Sequence, residues 1–435
     1  MTRSPLAWVP SLYFVQGLQF FVVMLIAGLM FKNLGVANEQ IARWTGLIGL
    51  AWAFKPLWSP FLELARSKKR VVVVTQFASA ACLGAVALAL QTPAFFALTI
   101  AVLFLLAYNA ATHDIACDGL YMASLAPAQQ AAYAGWQGAF FNASKFLALG
   151  LLVVWAGQLE KTMGVAPAWS LIFLGLAGLL AALAAWNAFA LPTDAREGRT
   201  AGSAAEIWAT LREVIVSFLA KPQIWRAIVF IVLFRFAEGQ VQTIGPLFLL
   251  EPREKGGLGL STEQMGAIYG GVGTAAFLVG SILGGAFAAK LGLKRAMVVL
   301  ILAMMVPNLV FAWFGHARPA LDAGWPLPAW AVALGAPAQL TQITLAIAVE
   351  MAGYGFGFVG MILYLMQAVA PGPFATAHYA LGTGVMQLGF ILSKTISGDV
   401  QAALGYTTFF DWTVLCGLPV LLMLPWVRLP APEAK

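Results

Sequence analysis

The sequence predicts an all-α integral membrane protein with twelve transmembrane helices in two six-helix lobes. Hydrophobic residues make up 61% of the 435 residues and charged residues only 10%, whereas a soluble domain has roughly 25% charged residues. Apolar segments of about 20 residues, the length that crosses a bilayer, recur along the chain. A polar break near the middle separates six of these segments from six more.

The predicted spans follow one another in two sets. In the first half they cover about 9–31, 41–61, 71–91, 94–120, 131–158 and 168–190, and in the second half 224–250, 263–289, 296–314, 340–368, 374–397 and 406–427. The first span is longer than a signal-peptide core, so we interpret it as an uncleaved helix. The predicted domains are an N-terminal lobe (1–190), a cytoplasmic linker with an amphipathic helix (191–223) and a C-terminal lobe (224–435).

Two regions lie outside the regular spans. In the linker, one helical face carries an apolar stripe, formed by Ile207, Leu211, Val214, Ile215 and Phe218. This pattern favours a tether between the lobes, with a regulatory site as the alternative. Prolines interrupt the apolar run at 315–339, which we predict to be an external loop with interfacial pieces.

The distribution of basic residues predicts the orientation. With both termini cytoplasmic, fifteen lysines and arginines fall on the cytoplasmic side and six on the other, as the positive-inside rule requires. The cytoplasmic set includes the cluster LELARSKKR (62–70). The net charge of +7 is explained by these loops, so we expect no nucleic-acid partner.

Several chemistries find no support in the sequence. Cys82, Cys117 and Cys416 fall within predicted spans and have neither metal-ligand nor disulfide spacing. No Ser-His-Asp order and no nucleotide-binding loop is present. We therefore expect no metal, no cofactor and no enzymatic activity, and we expect a monomer.

Asp114 and Asp118 are the most informative residues, because they lie inside the fourth predicted span. They are one helical turn apart and point to the same face. A carboxylate at bilayer depth costs roughly 2.5–3.5 kcal/mol and normally faces a bundle interior or a water-filled cavity. Two on one face indicate a transport pathway.

Other charged residues in the spans are Lys55, Lys145, Arg235, Glu238, Glu350 and Lys394. Eight lipid-facing charges would cost about 20 kcal/mol, more than a typical margin of about 5–15 kcal/mol. They must therefore line the interior and largely pair. As proton-coupling acids we rank Asp114, then Glu350, Glu238 and Asp118. Each has a structural alternative: Arg235 and Glu238 can neutralise one another across one turn, and Glu350, followed by several glycines, can be a packed, permanently protonated acid.

A second set of polar residues suits a substrate with carboxylates, hydroxyls or amides. Arg235 offers a planar fork that lysine cannot reproduce. Lys145 and Lys394 have near-equivalent places in the two halves, offset by about one turn. The predicted substrate-binding residues are Arg235, Lys145, Lys394, Gln16, Gln19, Gln137, Gln240, Gln242, Gln387 and Tyr121. For each glutamine the alternative is a helix-packing contact.

Two internal similarities indicate a duplicated half. LYMASLAPAQQAAYA, from Leu120, resembles LYLMQAVAPGPFATAHYA, from Leu363, and basic clusters follow both the second and the eighth predicted span. Parallel repeats related by an axis along the membrane normal are the construction of major facilitator transporters, whose substrate site lies near the midplane between the lobes.

Four segments resemble those of the AmpG-type muropeptide permeases, a family within the major facilitator superfamily: FKPLWSP (54–60), ATHDIACDGLY (111–121), AVEMAGYGFG (348–357) and FATAHYALGTGVMQLG (374–389). Their order also matches, and the similarity covers nearly the whole chain. The resemblance implies import of anhydromuropeptides with protons across the bacterial inner membrane. His113 departs from it, since the family usually has Gln there.

The resemblance and the residues together predict a cytoplasmic gate. Lys55 on the second span faces the acids of the fourth, with Asp118 the expected partner, and the basic loop common to the superfamily contributes Arg66 and Arg70. A structural salt bridge is the alternative for Lys55.

The sequence thus predicts a proton-driven secondary importer of a small, anionic molecule that works by alternating access. Two alternatives stay open. One is an AmpG-like carrier of a siderophore or another small metabolite, and the other is a membrane sensor that binds ligand without transporting it.

Overall fold

The computed structural model describes residues 4–59, 62, 65, 67–192, 204–323 and 338–429. In this part of the chain all regular structure is helical, and no β-strand occurs. We number the helices α1 (Pro5–Asn33), α2 (Asn38–Ile48), α3 (Leu50–Trp58), α4 (Lys68–Ala89), α5 (Phe95–Ser124), α6 (127–163), α7 (Val165–Ala190), α8 (Ala204–Leu219), α9 (Ile224–Leu250), α10 (Thr262–Leu291), α11 (293–323), α12 (338–369) and α13 (Ala375–Met423).

Ten helices in the described residues are long and apolar enough to cross a membrane. They match the predicted spans except in two places. The predicted span 41–61 is divided at Gly49 into α2 and α3, which have 11 and 9 residues, too few for either to cross alone. The predicted spans 374–397 and 406–427 both lie within α13, which has 49 residues.

Gly405 interrupts α13. Its backbone has φ 71° and ψ 167°, a region that residues with a β-carbon avoid and glycine enters without steric cost. The helix is therefore two helical arms, 375–404 and 406–423, joined at one glycine.

The first compact unit comprises Met1–Gly35 and Leu47–Glu213. Within it α4 packs against α5 and α7, α1 packs against α6, and α3 packs against α5. One buried apolar cluster includes Trp8, Leu12, Tyr13 and Leu120, which brings the N-terminal end of α1 to the end of α5 that carries the two aspartates.

The second unit comprises Val36–Gly46 and Val214–Lys435. Its α9 packs along α13, and α12 packs against α10 and α11. Residues 36–46 belong here because the Asn38 amide donates to Gln401 Oε1 at 2.8 Å and to the Tyr406 hydroxyl at 2.7 Å. That hydroxyl in turn donates to Glu251 at 2.7 Å.

Within the predicted linker the structure has the helix α8. Leu211, Val214 and Phe218 of the predicted stripe are buried, whereas Trp208 on the other face is 60% exposed. Residues 193–203 of the linker lie outside the described residues. In the predicted loop 315–339, α11 continues to Ala323, so the loop begins later than predicted, and 324–337 lie outside the described residues.

Candidate functional site

The first polar cluster surrounds Asp114 on α5. Asp114 is 6% exposed, and its Oδ2 lies 3.7 Å from Lys55 Nζ. The indole nitrogen of Trp52 donates to the same oxygen at 2.9 Å. Trp52 and Lys55 are three residues apart on α3 and so share one helical face, which brings both groups to one carboxylate.

Asp118 has a different partner. The Tyr13 hydroxyl donates to Asp118 Oδ1 at 3.1 Å and accepts from the Gln137 amide at 2.7 Å. Three helices, α1, α5 and α6, therefore meet in one hydrogen-bonded chain. The structure pairs Lys55 with Asp114, and the predicted gating role of Asp118 stays a prediction.

Aromatic rings pack against Trp52 and Tyr13, the two residues that donate to the aspartates. Phe20 contacts Trp52 edge-on with ring centroids 5.1 Å apart, and Phe141 lies beside Phe20. Tyr121 stands perpendicular to Tyr13 at 5.8 Å, but its hydroxyl donates to the Gln130 carbonyl at 2.7 Å. Tyr121 thus offers a ring rather than a free hydroxyl to this cluster.

His113 faces the opposite side of α5 and is completely buried. The Gln76 amide lies 3.0 Å from its Nε2, and Asn187 donates to the Gln76 carbonyl oxygen at 3.2 Å. These contacts hold α4, α5 and α7 together, which favours a packing role for the His113 imidazole over a role as a proton relay.

Of the predicted gating arginines, Arg70 is exposed, and Arg66 lies outside the described residues. A basic residue that was not predicted for the site lies nearer to it. Lys68 is 9% exposed, and its side chain lies along Gly119, the residue after Asp118. Its place in the basic cluster after the second span was a signal, but the cluster alone did not show which member is buried.

The second polar cluster surrounds Arg235 on α9. Arg235 is 5% exposed and forms an ion pair with Glu238, which is 2% exposed. The guanidinium carbon lies 5.1 Å from the Phe358 ring centroid and 4.7 Å from that of Phe390. Two rings therefore hold the guanidinium in a fixed orientation through cation–π contacts.

Glu350 on α12 belongs to the same cluster and is hydrogen-bonded to Gln242. The Gln242 amide donates to Glu350 Oε1 at 3.2 Å, and the Tyr269 hydroxyl donates to Gln242 Oε1 at 2.8 Å. Glu350 is 1% exposed. A carboxylate on α12 is thus connected to α9 and α10 through neutral side chains.

Glycines fix α12 against both of its neighbours. A β-carbon at Gly355 would overlap the Phe277 carbonyl oxygen on α10, and one at Gly353 would overlap the Ala303 carbonyl oxygen on α11. Such close approach is a common use of glycine in membrane helices. Close packing of this kind is what the structural alternative for Glu350, a packed acid, requires.

The two halves repeat one local arrangement. YFVQG (13–17) on α1 packs its glycine against Ser144 in FNASK (141–145) on α6, and RFAEG (235–239) on α9 packs its glycine against Ser393 in FILSK (390–394) on α13. Each serine donates to the carbonyl three residues earlier, at 2.6 Å and 2.8 Å.

This repeat places Lys145 and Lys394 at the same position, directly after the serine. The predicted offset of one turn was wrong, because the register is set by the glycine–serine contact rather than by distance along the span. Lys394 is 5% exposed and Lys145 is partly exposed. Lys145 also directly precedes a π-type turn, Phe146–Leu152, a feature frequent at functional sites.

The remaining glutamines divide into two kinds. Gln19 accepts from Ser79 at 2.9 Å, and Gln240 accepts from Trp412 at 3.2 Å, so both make helix-packing contacts. Gln16 Oε1, Gln387 Nε2 and also Gln19 Nε2 are buried and have no hydrogen-bond partner among the described residues. Those three side chains retain polar atoms that a ligand could satisfy.

Across the described ranges no group of three or more His, Cys, Asp and Glu side chains is arranged to hold a metal ion. What the two clusters offer is charge, amides and aromatic surface inside membrane-spanning helices. Charged side chains inside a membrane-spanning bundle commonly mark substrate and proton pathways.

Comparison with known proteins gives the family. Residues 11–371 match the model of the Major Facilitator Superfamily. The chain is 22% identical over 388 residues to the anhydromuropeptide permease of Escherichia coli (strain K12), covering 87% of this chain and 70% of that protein. It is 20% identical over 429 residues to the putative transporter AmpG 4 of Rickettsia conorii, covering 95% and 94%.

Solved structures show the same fold. A D-xylose–proton symporter superposes with a TM-score of 0.70 at 12% identity and covers 99% of this chain and 100% of its own. The nucleoside transporter NupG superposes with a TM-score of 0.67 at 17% identity and covers 96% and 98%. These relatives are transporters and not enzymes. The chain is therefore a multi-pass membrane transporter that belongs to the Major Facilitator Superfamily and is similar, within it, to the AmpG-type permeases.

Proposed function

We propose that this protein is a proton-coupled secondary importer of anhydromuropeptides, or of a similar amphipathic anionic solute, across the bacterial inner membrane. It works by alternating access, as a monomer with both termini cytoplasmic. The proposal includes twelve spans, counting α2 with α3 as one and the arms of α13 as two, in lobes 1–190 and 224–435 joined by the linker 191–223.

The observation that carries the proposal is the geometry at Asp114. Its carboxylate is buried in a spanning helix, and Lys55 Nζ lies 3.7 Å from it, longer than a tight charge-assisted hydrogen bond of about 2.7–2.9 Å. Lys55 is the more accessible partner, with 29% of its side chain exposed against 8% for Asp114. Protonation of Asp114 would remove the attraction and release a positive charge for an anionic substrate.

That exchange couples the two uptakes without direct contact. A proton on Asp114 and an anion beside Lys55 each favour the state in which the ion pair is broken, so each strengthens the binding of the other. Asp114 and Lys55 are thus the core of the proposed coupling device, with Glu350, Glu238 and Asp118 as further candidate acids.

Arg235 is the proposed anchor for a substrate carboxylate. Its Nε is buried and has no hydrogen-bond partner among the described residues, although the Tyr354 hydroxyl and Glu238 lie close to the guanidinium. Its orientation is already fixed by Phe358 and Phe390, so little rotamer freedom is lost on binding. Gln16 and Gln387 are proposed to add amide contacts.

The substrate class rests on the AmpG-type relatives together with these groups. An anhydromuropeptide carries sugar hydroxyls, amides and peptide carboxylates, which match the amide and guanidinium groups of the two clusters. A siderophore or another small metabolite is the alternative cargo.

Uptake by proteoliposomes tests the function. Purified protein should accumulate radiolabelled N-acetylglucosaminyl-anhydromuramyl peptide when the outside is made acidic, and an uncoupler should abolish accumulation. Liposomes without protein and liposomes with Asp114→Asn are the controls. Binding without accumulation would indicate a sensor, and accumulation of a ferric siderophore instead would reassign the cargo.

A further inference from the structure

A basic cavity lies at one end of the second unit, where α9 begins and α12 and α13 end. Its volume is about 510 Å³. The polar lining side chains are Lys221, Gln223, Arg226, Tyr364, Gln367 and Arg428. Three of these are basic, and among the described residues no Asp or Glu lines the cavity. None of the six belongs to the two polar clusters described above.

Lys221 gives this cavity its structure. Its ammonium group donates to the carbonyl oxygens of Val369, Ala370 and Pro371, which uses all three of its N–H donors. These carbonyls end α12, where the helix dipole is negative. Burial lowers the pKa of Lys221. The lysine thus offsets the negative end of α12 in the cavity wall.

Arg226 and Arg428 are left to bind a ligand. Both side chains are exposed, and neither has an ion-pair or hydrogen-bond partner within the described part of the chain. A guanidinium group binds the oxygens of a phosphate in a bidentate manner. Two such groups, with no acidic side chain beside them in the described lining, favour a phosphate-bearing ligand.

Neighbouring residues place the cavity at the depth of the lipid headgroups. Trp225 is 64% exposed and Trp426 is 58% exposed, and exposed tryptophans concentrate at the membrane–water interface. Along the same helices, Val229 on α9 is 46% exposed and Leu422 on α13 is 69% exposed. This apolar surface can contact acyl chains, whereas a free phosphate ion would make no contact with it.

We propose that the cavity binds the phosphate of an anionic phospholipid headgroup, held by Arg226 and Arg428. Basic pockets of membrane proteins on the cytoplasmic side bind such headgroups. The site is independent of the transported substrate, and only its assignment to the inner leaflet rests on the proposed orientation.

The first test measures lipid binding to delipidated wild-type protein in detergent by native mass spectrometry and by the lipid-induced rise in the melting temperature. The probes are phosphatidylglycerol, phosphatidylcholine and inorganic phosphate. The variants are Arg226→Gln, Arg428→Gln and the double variant. Arg295→Gln, at an exposed arginine outside the cavity, is the matched control.

Phosphatidylglycerol should bind and raise the melting temperature, with affinity about fivefold lower in each single variant and about 30-fold lower in the double variant, from the usual contribution of a basic residue near anionic lipid. Arg295→Gln should match wild type. Equal effects of the two lipids, or full retention in the double variant, would overturn the proposal. A shift given by inorganic phosphate as strongly as by phosphatidylglycerol would replace the lipid with a soluble ligand.

A photoactivatable phosphatidylglycerol in vesicles keeps the test decisive if the double variant does not fold. Crosslinks in the wild-type protein should map to peptides around 221–229 and 364–371. Crosslinks confined to other helices would contradict the proposed site.

Discussion

The Trp52 indole nitrogen and the Lys55 ammonium both lie near Asp114 Oδ2, at 2.9 Å and 3.7 Å. The shorter contact is the neutral one. The neutral Trp52 donor therefore lies closer to Asp114 than the lysine that balances its charge. In the proposed mechanism Trp52 keeps Asp114 in position, while Lys55 moves away when the acid is protonated.

Removing the indole donor should loosen the position of Asp114. In Trp52→Phe the buried carboxylate loses one hydrogen bond, and we expect a stability loss of about 1 kcal/mol, as for other interhelical hydrogen bonds in membranes. Thermal unfolding in detergent measures it. The matched control is Trp58→Phe on the same helix, because Trp58 Nε1 is buried without a hydrogen-bond partner among the described residues. Equal losses in the two variants would show that the Trp52–Asp114 bond contributes nothing.

The close packing of α12 makes a second prediction. In Gly355→Ala the new β-carbon overlaps the Phe277 carbonyl oxygen, and overpacking of this kind costs about 1–3 kcal/mol. Gly285→Ala on α10 is the control, since a β-carbon there meets nothing within 4 Å. The melting temperature should fall only for Gly355→Ala. Unchanged melting in both variants would mean that α10 and α12 separate easily.

The charged members of both clusters could be predicted from the sequence because charge inside an apolar span is rare and expensive. The aromatic partners of the two aspartates, Trp52 and Tyr13, could not, since the chain has 15 Trp, 9 Tyr and 30 Phe, and nothing local shows which ring reaches an acid on a distant helix. One signal was present and unused: FNASK and FILSK repeat the same serine and lysine.

The span count shows a similar limit. Hydropathy located the segments, but their division depends on backbone geometry. Gly405, with its positive φ, is one of 43 glycines, and its sequence context does not distinguish it from the others. The hydropathy of the predicted span 41–61 likewise did not predict the break at Gly49.

The orientation of the chain predicts a labelling pattern. In a variant whose three cysteines are replaced, single cysteines at Arg70, Lys294 and Lys161 occupy exposed positions. The positive-inside rule places the first two on the cytoplasmic side and the third outside. A membrane-impermeant maleimide added to intact cells should label only the cysteine at Lys161. Labelling of the cysteine at either Arg70 or Lys294, but not both, would rule out the duplicated two-lobe topology.

Arg235→Lys separates charge from geometry. Lysine keeps the positive charge beside Glu238 but loses the planar fork and the contacts with Phe358 and Phe390. Transport of a carboxylate-bearing substrate should weaken about tenfold, as expected when one charge-assisted hydrogen bond of about 1.5 kcal/mol is lost, while the protein still folds. Direct binding measurements with Arg212→Lys, an exposed position on α8, give the control. Equal affinity in both variants would return Arg235 to a structural role.

Asp114→Asn makes the proposed coupling acid permanently neutral. Because the amide cannot bind and release a proton, uptake driven by a proton gradient should be lost, whereas exchange of labelled for unlabelled substrate at equal pH should persist, since exchange needs no proton release. Both are measured in the same proteoliposomes, with Glu213→Gln at an exposed position on α8 as the control that keeps both activities. If the variant lost both exchange and substrate binding, Asp114 would be a structural or substrate-contact residue. Gradient-driven accumulation at the wild-type level would remove it from the coupling mechanism, and the same pair of assays on Glu350→Gln, whose acid is connected to α9 through Gln242, would then identify the alternative.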